Sequence, residues 1–211
     1  MSRVTLMDTG TNNLLSVQRA LHHVGAEVVV CNNSNALTDA ERLILPGVGT
    51  FGACTRNLKE MGLNEAVLNY ARLERPLLGI CVGMQMLFDG SEAFGWNDGL
   101  GLIAGSVRAI PEFGADGSPH NIPHIGWASL APGAGGWAGT IFDSMGVDLS
   151  VYFVHSFSAH PKDGSDILAV TNYNGLQLVA AAGRGMMIGT QFHPEKSGQT
   201  GLDILSRFLD M

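Results

Sequence analysis

In the first half of the chain, short apolar runs alternate with segments whose apolar residues recur every three or four positions. Val4-Thr5-Leu6-Met7 reads as a short buried strand. From Asn13 to Val24, the residues Leu14, Val17, Leu21 and Val24 fall at helical spacing, and Gly25 ends the pattern. Strand patterns return at Glu27–Cys31, Arg42–Leu45 (closed by Pro46-Gly47) and Pro76–Cys81. Between them, Phe51–Met61 and Asn64–Arg72 read as helices, and Met84–Phe88 reads as the start of another. Strands separated by helices predict an α/β fold with a mixed, mostly parallel sheet and helices on both faces.

The second half changes character. Residues 100–110, 123–128, 150–156, 166–173, 176–182 and 186–192 are strand-like, with turn residues between them. Asn174-Gly175 is a hairpin turn signal. These segments predict antiparallel additions to the sheet. A closing helix is expected from about Gly201 to Asp210, and loops at 111–121 and 131–140. No internal repeat or linker interrupts the chain, so a single domain over 1–211 is expected.

Composition narrows the class. Hydrophobic residues make up 45% of the chain, which is globular rather than disordered. Glycine, 28 of 211 residues, is in excess without a collagen-like period. Three cysteines cannot form a disulfide framework and suit a reducing compartment. A net charge of −7 without a basic cluster argues against nucleic-acid binding. No apolar run is long enough for a membrane span and none marks a leader, so a soluble cytoplasmic protein with no membrane contact is expected.

Three segments could carry chemistry. Gly79-Ile80-Cys81-Val82-Gly83 lies at a strand-to-helix junction. Flanking glycines there permit the tight turn that exposes a nucleophile. The same residues would also suit a buried structural cysteine between packing glycines. His193-Pro194-Glu195 places a base and a carboxylate two residues apart. Proline keeps the preceding residue extended, so the two side chains point the same way. A surface turn with an incidental ion pair is the alternative. Pro46-Gly47-Val48-Gly49-Thr50 offers backbone N–H groups at a strand end, suited to an oxyanion or a phosphate. The phosphate-loop pattern Gly-x-x-x-x-Gly-Lys is missing. Cys31 and Cys54 read as packing residues. Seven scattered histidines make no metal site, and neither a metal nor a cofactor is expected.

Together these segments, in this order, resemble the class I (triad) glutamine amidotransferases, over nearly the whole chain. The resemblance implies their flavodoxin-like fold. It also implies that Cys81 attacks the amide of L-glutamine, that His193 exchanges the proton, and that Glu195 holds His193. Val82, with Val48 or Gly49, would supply the oxyanion hole, and Gly49 and Gln85 would contact glutamine. More narrowly, Asp8-Thr9-Gly10, Pro123–Trp127, Tyr152–Ser156 and Gln191–Gly198 are similar to the glutaminase subunits of imidazole glycerol phosphate synthases. That likeness implies a heterodimer with a (βα)₈-barrel cyclase subunit that receives ammonia. The cyclase would make imidazole glycerol phosphate and aminoimidazole carboxamide ribotide in histidine biosynthesis. Asn13, Trp127, Tyr152 and Lys196 match positions near that interface.

Two departures stand out. Ala93 replaces a carboxylate expected to help hold glutamine, and Ala128 replaces an asparagine expected at the interface. They leave room for a relative that serves a sugar amidotransferase in surface-polysaccharide biosynthesis. A non-catalytic regulator on the same sheet is the competing class. Under the enzyme reading, Cys81→Ser abolishes glutamine hydrolysis, and unchanged ammonia release in a coupled assay would remove Cys81 as nucleophile.

Overall fold

A computed structural model describes residues 2–10, 13–134, 136–146 and 148–211. The elements in chain order are β1 (Arg3–Met7), α1 (Leu14–His23), β2 (Glu27–Cys31), α2 (Asn35–Thr38), β3 (Leu43–Gly47), α3 (Phe51–Glu60), α4 (Asn64–Ala71), β4 (Leu77–Cys81) and α5 (Val82–Met86). They continue with β5 (Phe88–Ser91), β6 (Asn97–Asp98), β7 (Ile103–Ala109), β8 (His124–Pro132), β9 (Ser150–His155), β10 (Phe157–Pro161), β11 (Ile167–Tyr173), β12 (Leu176–Arg184), β13 (Met187–Thr190) and α6 (Gly198–Leu209).

Among the described residues, nine strands form one sheet in the order β2-β1-β3-β4-β13-β12-β11-β8-β9. From β2 to β13 the neighbours are parallel; from β13 to β9 they are antiparallel. The mixed α/β expectation is therefore met. The central strands β3 and β4 are buried at every position, which explains their unbroken apolar runs. The connection β1→β2 runs in one direction across the sheet, and β2→β3→β4 runs in the other. Right-handed crossovers then put α1 on one face and α2, α3 and α4 on the opposite face. In agreement, α1 packs on α6, and α2 packs on α4.

A smaller sheet, ordered β10-β7-β5-β6, covers the end of the elbow region. At the β11–β12 hairpin, Asn174 and Gly175 have φ of +49° and +80°, the pair of left-handed residues that a tight hairpin turn requires.

Several boundaries differ from the pattern. The helix expected over Met84–Phe88 ends at Met86, and Phe88 begins β5 against β7. Every residue of α5 is buried, and a fully buried apolar run does not show by periodicity where helix yields to strand. The strand expected to end near Ser156 is followed at once by β10. β9 pairs with β8 in the large sheet, and β10 pairs with β7 in the small one. The helix α2 had no pattern at all, being one turn long. β8 runs on to Pro132, into the expected 131–140 loop, of which Gly135 lies outside the described residues. The last helix starts at Gly198, a few residues earlier than its apolar spacing suggests.

The junction of β3, β4 and α5 has no room for side chains. A Cβ on Gly79 would sit 2.7 Å from backbone atoms of Gly83, and one on Gly47 2.7 Å from the Gly83 nitrogen. A Cβ on Gly83 would collide with the Leu45 carbonyl. Gly83→Ala is expected to destabilise by about 1–3 kcal/mol, the usual range for overpacking a tight contact. Differential scanning calorimetry would read this as a Tm lowered by roughly 2–10 °C. An unchanged Tm would mean that helix and strand do not approach as closely as described.

Candidate active site

Cys81 ends β4 and caps α5, with φ +55° and ψ −109°. A non-glycine residue at positive φ is strained and persists only where its surroundings enforce it. Here the glycine contacts on both sides do so. The β3–β4 register pairs Gly47 with Cys81, so the strand end carrying Val48 and Gly49 is brought alongside the thiol. Gly49 has φ +102°. The Val48 carbonyl accepts a hydrogen bond from Cys54 Sγ at 3.4 Å, and Thr50 caps α3 by accepting from the Ala53 N–H at 3.3 Å. Burial pushes the Cys54 thiol up to about 11, with the neighbouring Cys81 adding to the rise, so it stays a donor.

His193 and Glu195 arrive from the adjacent strand. β13 runs parallel to β4, with Thr190 opposite Ile80, so the residues after β13 leave the sheet at the same edge as Cys81. A clamp then sets the backbone. The His193 N–H donates to the Tyr152 carbonyl at 3.0 Å. The Ser197 hydroxyl donates to the His193 carbonyl at 2.6 Å and accepts from the Tyr152 N–H at 3.0 Å. His193 Nδ1 meets Glu195 Oε1 at 2.7 Å, and both side chains are buried. Asn13 Nδ2 donates to the same carboxylate oxygen at 2.5 Å. With Nδ1–H held by the carboxylate, Nε2 is the nitrogen left to serve the thiol.

Burial acts to lower the His193 pKa. Hydrogen bonding and charge interaction with Cys81 and Glu195 outweigh it and raise the imidazole to about 10. Thiol, imidazole and carboxylate thus lie buried together, with a proton held on the ring. Such an arrangement can do nucleophilic acyl transfer.

Two glutamines complete the surroundings. Gln85, on α5, directs Nε2 to the Phe157 carbonyl at 3.3 Å and to Gln191 Oε1 at 2.9 Å. Its Oε1 is therefore the atom that it can offer to a ligand. Gln191 Nε2 lies 3.7 Å from Cys81 Sγ. Sequence reasoning noted Gln191 within a motif but gave it no role, and gave none to His155 or Ser197. The only available signal was their closeness in sequence to His193 and Phe157.

Asn13, Trp127, Tyr152 and Lys196 share one region around the His193–Ser197 turn. Trp127 and Tyr152 are cross-strand partners with rings edge-on at 6.2 Å, and Trp127 is 58% exposed. Lys196 is exposed, while Asn13 and Tyr152 are half-buried. Ile125, two residues before Trp127 on the same strand face, is exposed as well. Ala128 is not part of that face. Strand alternation turns it to the opposite side, where it packs against the core. Ala93 is buried, and its carbonyl accepts from Asn97. A cavity of about 790 Å³ opens at the far end of β13, lined by Asp166, Arg184, Met187 and Arg207, and does not border Cys81, His193 or Glu195. No His, Cys, Asp and Glu side chains among the described residues group for a metal ion.

A strained cysteine elbow on a parallel sheet, faced by a His-x-Glu turn from the next strand, has known relatives. The chain belongs to the class-I glutamine amidotransferases: the family model described as "Glutamine amidotransferase class-I" matches residues 5–211. It is 44% identical, over the full length of both chains, to a protein of Legionella pneumophila (strain Lens) named imidazole glycerol phosphate synthase subunit HisH 1. It is 41% identical, again over the full length of both, to the subunit HisH of that synthase from Geobacter sulfurreducens. Among solved structures, PurLQS from Thermotoga maritima shares the fold at a TM-score of 0.73 with 20% identity, covering 99% of this chain and 97% of that one.

The raised His193 pKa has a consequence for stability. Between the ordinary histidine value near 6.5 and about 10, the folded protein holds a proton that the unfolded chain releases. This contribution is complete below pH ~6.5 and is lost as pH rises through about 10. Urea unfolding midpoints should fall across that window, and Glu195→Gln should flatten the fall. A Glu195→Gln variant with the same slope as the parent would contradict the assignment.

Proposed function

We propose that this chain is the glutaminase subunit of an imidazole glycerol phosphate synthase, working in the cytoplasm on L-glutamine without a metal or cofactor. The observation that carries the chemistry is the buried line Cys81–His193–Glu195 with the Val48-Gly49 strand end beside it. Full-length likeness to proteins named as subunits of that synthase supports the pathway.

In the proposed mechanism, Cys81 Sγ attacks the side-chain carbonyl carbon of glutamine. The oxyanion is held by the Val82 N–H and an N–H of Val48 or Gly49. The C–N bond breaks as His193 gives its proton to the leaving nitrogen, which departs as ammonia. Water then attacks the thioester, His193 takes a proton from it, and the C–S bond breaks to release glutamate and restore the thiolate. Glu195 keeps the imidazole oriented throughout. Gly49 and Gln85 hold the substrate, Gln85 through its free Oε1.

The ammonia passes to a (βα)₈-barrel cyclase in a heterodimer. Trp127, Tyr152, Asn13 and Lys196 form the docking face, where an exposed tryptophan supplies an anchor of the type that dominates interface energetics. Asn13 joins that face to Glu195, so docking bears on the triad through a single side chain. The other acceptor, a sugar amidotransferase, draws no support from Ala128, which faces the core.

Mixing with the cyclase subunit and its nucleotide ligand should raise glutamine hydrolysis, and a strain lacking the gene should require histidine. Trp127→Ala should weaken the complex by about 30-fold or more, as expected of a hot-spot tryptophan, in isothermal titration calorimetry. Failure of any cyclase to bind, together with growth of the deletion strain without histidine, would overturn the pathway.

A further inference from the structure

Behind the thiol lies a buried chain of hydrogen bonds whose polarity can be worked out from one fixed point, a backbone carbonyl. The Phe157 carbonyl can only accept. His155 Nδ1, at 2.9 Å, and Gln85 Nε2, at 3.3 Å, must both donate to it. The orientation of the Gln85 amide follows, because its nitrogen has to face Phe157. That same nitrogen lies 2.9 Å from the Gln191 amide, so Gln191 must present its oxygen there. Its NH₂ is then the end left facing Cys81 Sγ, at 3.7 Å, within reach for the larger sulfur atom. The amide cannot be turned over without setting two donors against each other.

The other arm is locked in the same way. Burial pushes His155 down to about 4, opposed by its bond to Phe157 and reinforced by His124 and His193, so the ring is neutral at pH 7. With Nδ1–H given to Phe157, its Nε2 is bare and accepts from His124 Nδ1 at 3.2 Å. His124 is itself stacked between Tyr173 and Phe153, with ring centroids 4.1 and 4.9 Å away. Every link from His124 to Gln191 is therefore committed to one direction.

We infer that Gln191 is a positioning residue for the nucleophile: its amide, held with the NH₂ toward Cys81 by Gln85 and the Phe157 carbonyl, donates to the sulfur and favours the thiolate. The role rests on the glutaminase reading only for its kinetic consequence. A thiol accepts this bond weakly, while a thiolate accepts a charge-assisted one, so the bond strengthens as the proton leaves. The inference also explains why a glutamine stands at a position with no exposed surface. An apolar residue of the same length would fill the space but leave the Gln85 N–H unpaired and the thiolate without its donor.

Other titratable groups lie around the same sulfur and must be held constant in a test. They are His193 and Glu195 from the turn after β13 and Cys54 from α3, with His155 of β9 acting on His193. The variants are accordingly confined to position 191. Gln191→Met removes both the donor and the acceptor at nearly the same length; Gln191→Leu removes both with a branched side chain, and neither adds a charge. Circular dichroism establishes that each is folded.

The readout is the pH midpoint of the ultraviolet thiolate absorbance of Cys81, taken as the difference from the same background carrying Cys81→Ser. Loss of one hydrogen bond to a charged group should raise that midpoint by about one unit or more in both variants. At pH 7, kcat for glutamine hydrolysis should fall about tenfold. A merely structural role for Gln191 would change the melting temperature and leave the midpoint where it is. A folded variant of either kind with the parent's midpoint overturns the inference. If only one variant folds, its midpoint decides. The thiolate measurement does not depend on the substrate. A shifted midpoint in a protein that fails to hydrolyse glutamine would therefore uphold the positioning role and count against the proposed function.

Discussion

The close approach of β3, β4 and α5 is the constraint on which the site depends. Gly47, Gly79 and Gly83 bring backbone against backbone at distances that no Cβ tolerates. That contact forces Cys81 into positive φ at the strand end and holds Gly47 opposite it. The thiol is therefore aimed by packing of the main chain, and not by a mobile loop. A strained residue at positive φ costs of the order of 1–3 kcal/mol, and the surrounding fully buried strands supply the rigidity that keeps it there.

The imidazole is set by a different device. Neither His193 nor Glu195 lies in a strand or a long helix; they occupy a short turn after β13. Three hydrogen bonds among Tyr152, His193 and Ser197 pin that turn to β9. Because β9 also carries the Tyr152 ring and pairs with the Trp127 strand, the exposed aromatic face and the proposed proton-transfer group share one support. A protein bound to that face would press on the same strand that fixes His193. Coupling between partner and chemistry needs no long path here, since Asn13 already bridges the surface to the Glu195 carboxylate.

Much of the parallel half was legible in the residues. Helical spacing in α1 and buried runs in β3 and β4 reflect local physics that the structure keeps, as does the Asn174-Gly175 turn in the antiparallel half. The elbow was legible because Gly79 and Gly83 stand four residues apart and meet each other across the turn. The end of α5 was not, since burial on all sides erases periodicity. Nor was the switch at Ser156, where neighbouring residues enter different sheets because their partners, β8 and β7, come from elsewhere in the chain.

The residues themselves determined the class of fold, and the order along the chain of the thiol, imidazole and carboxylate on which the proposed function rests, since these depend on local spacing and on motifs with their own chemistry. Tertiary structure alone decided that Ala128 faces the core while Trp127 stays in solvent, that Asn13 reaches Glu195 across the molecule, and that Gln191 turns its NH₂ toward sulfur. The physical reason is common to all three. Each depends on which distant group is left to accept or donate a hydrogen bond, or to fill a space, once the strands have paired, and no local pattern carries that information.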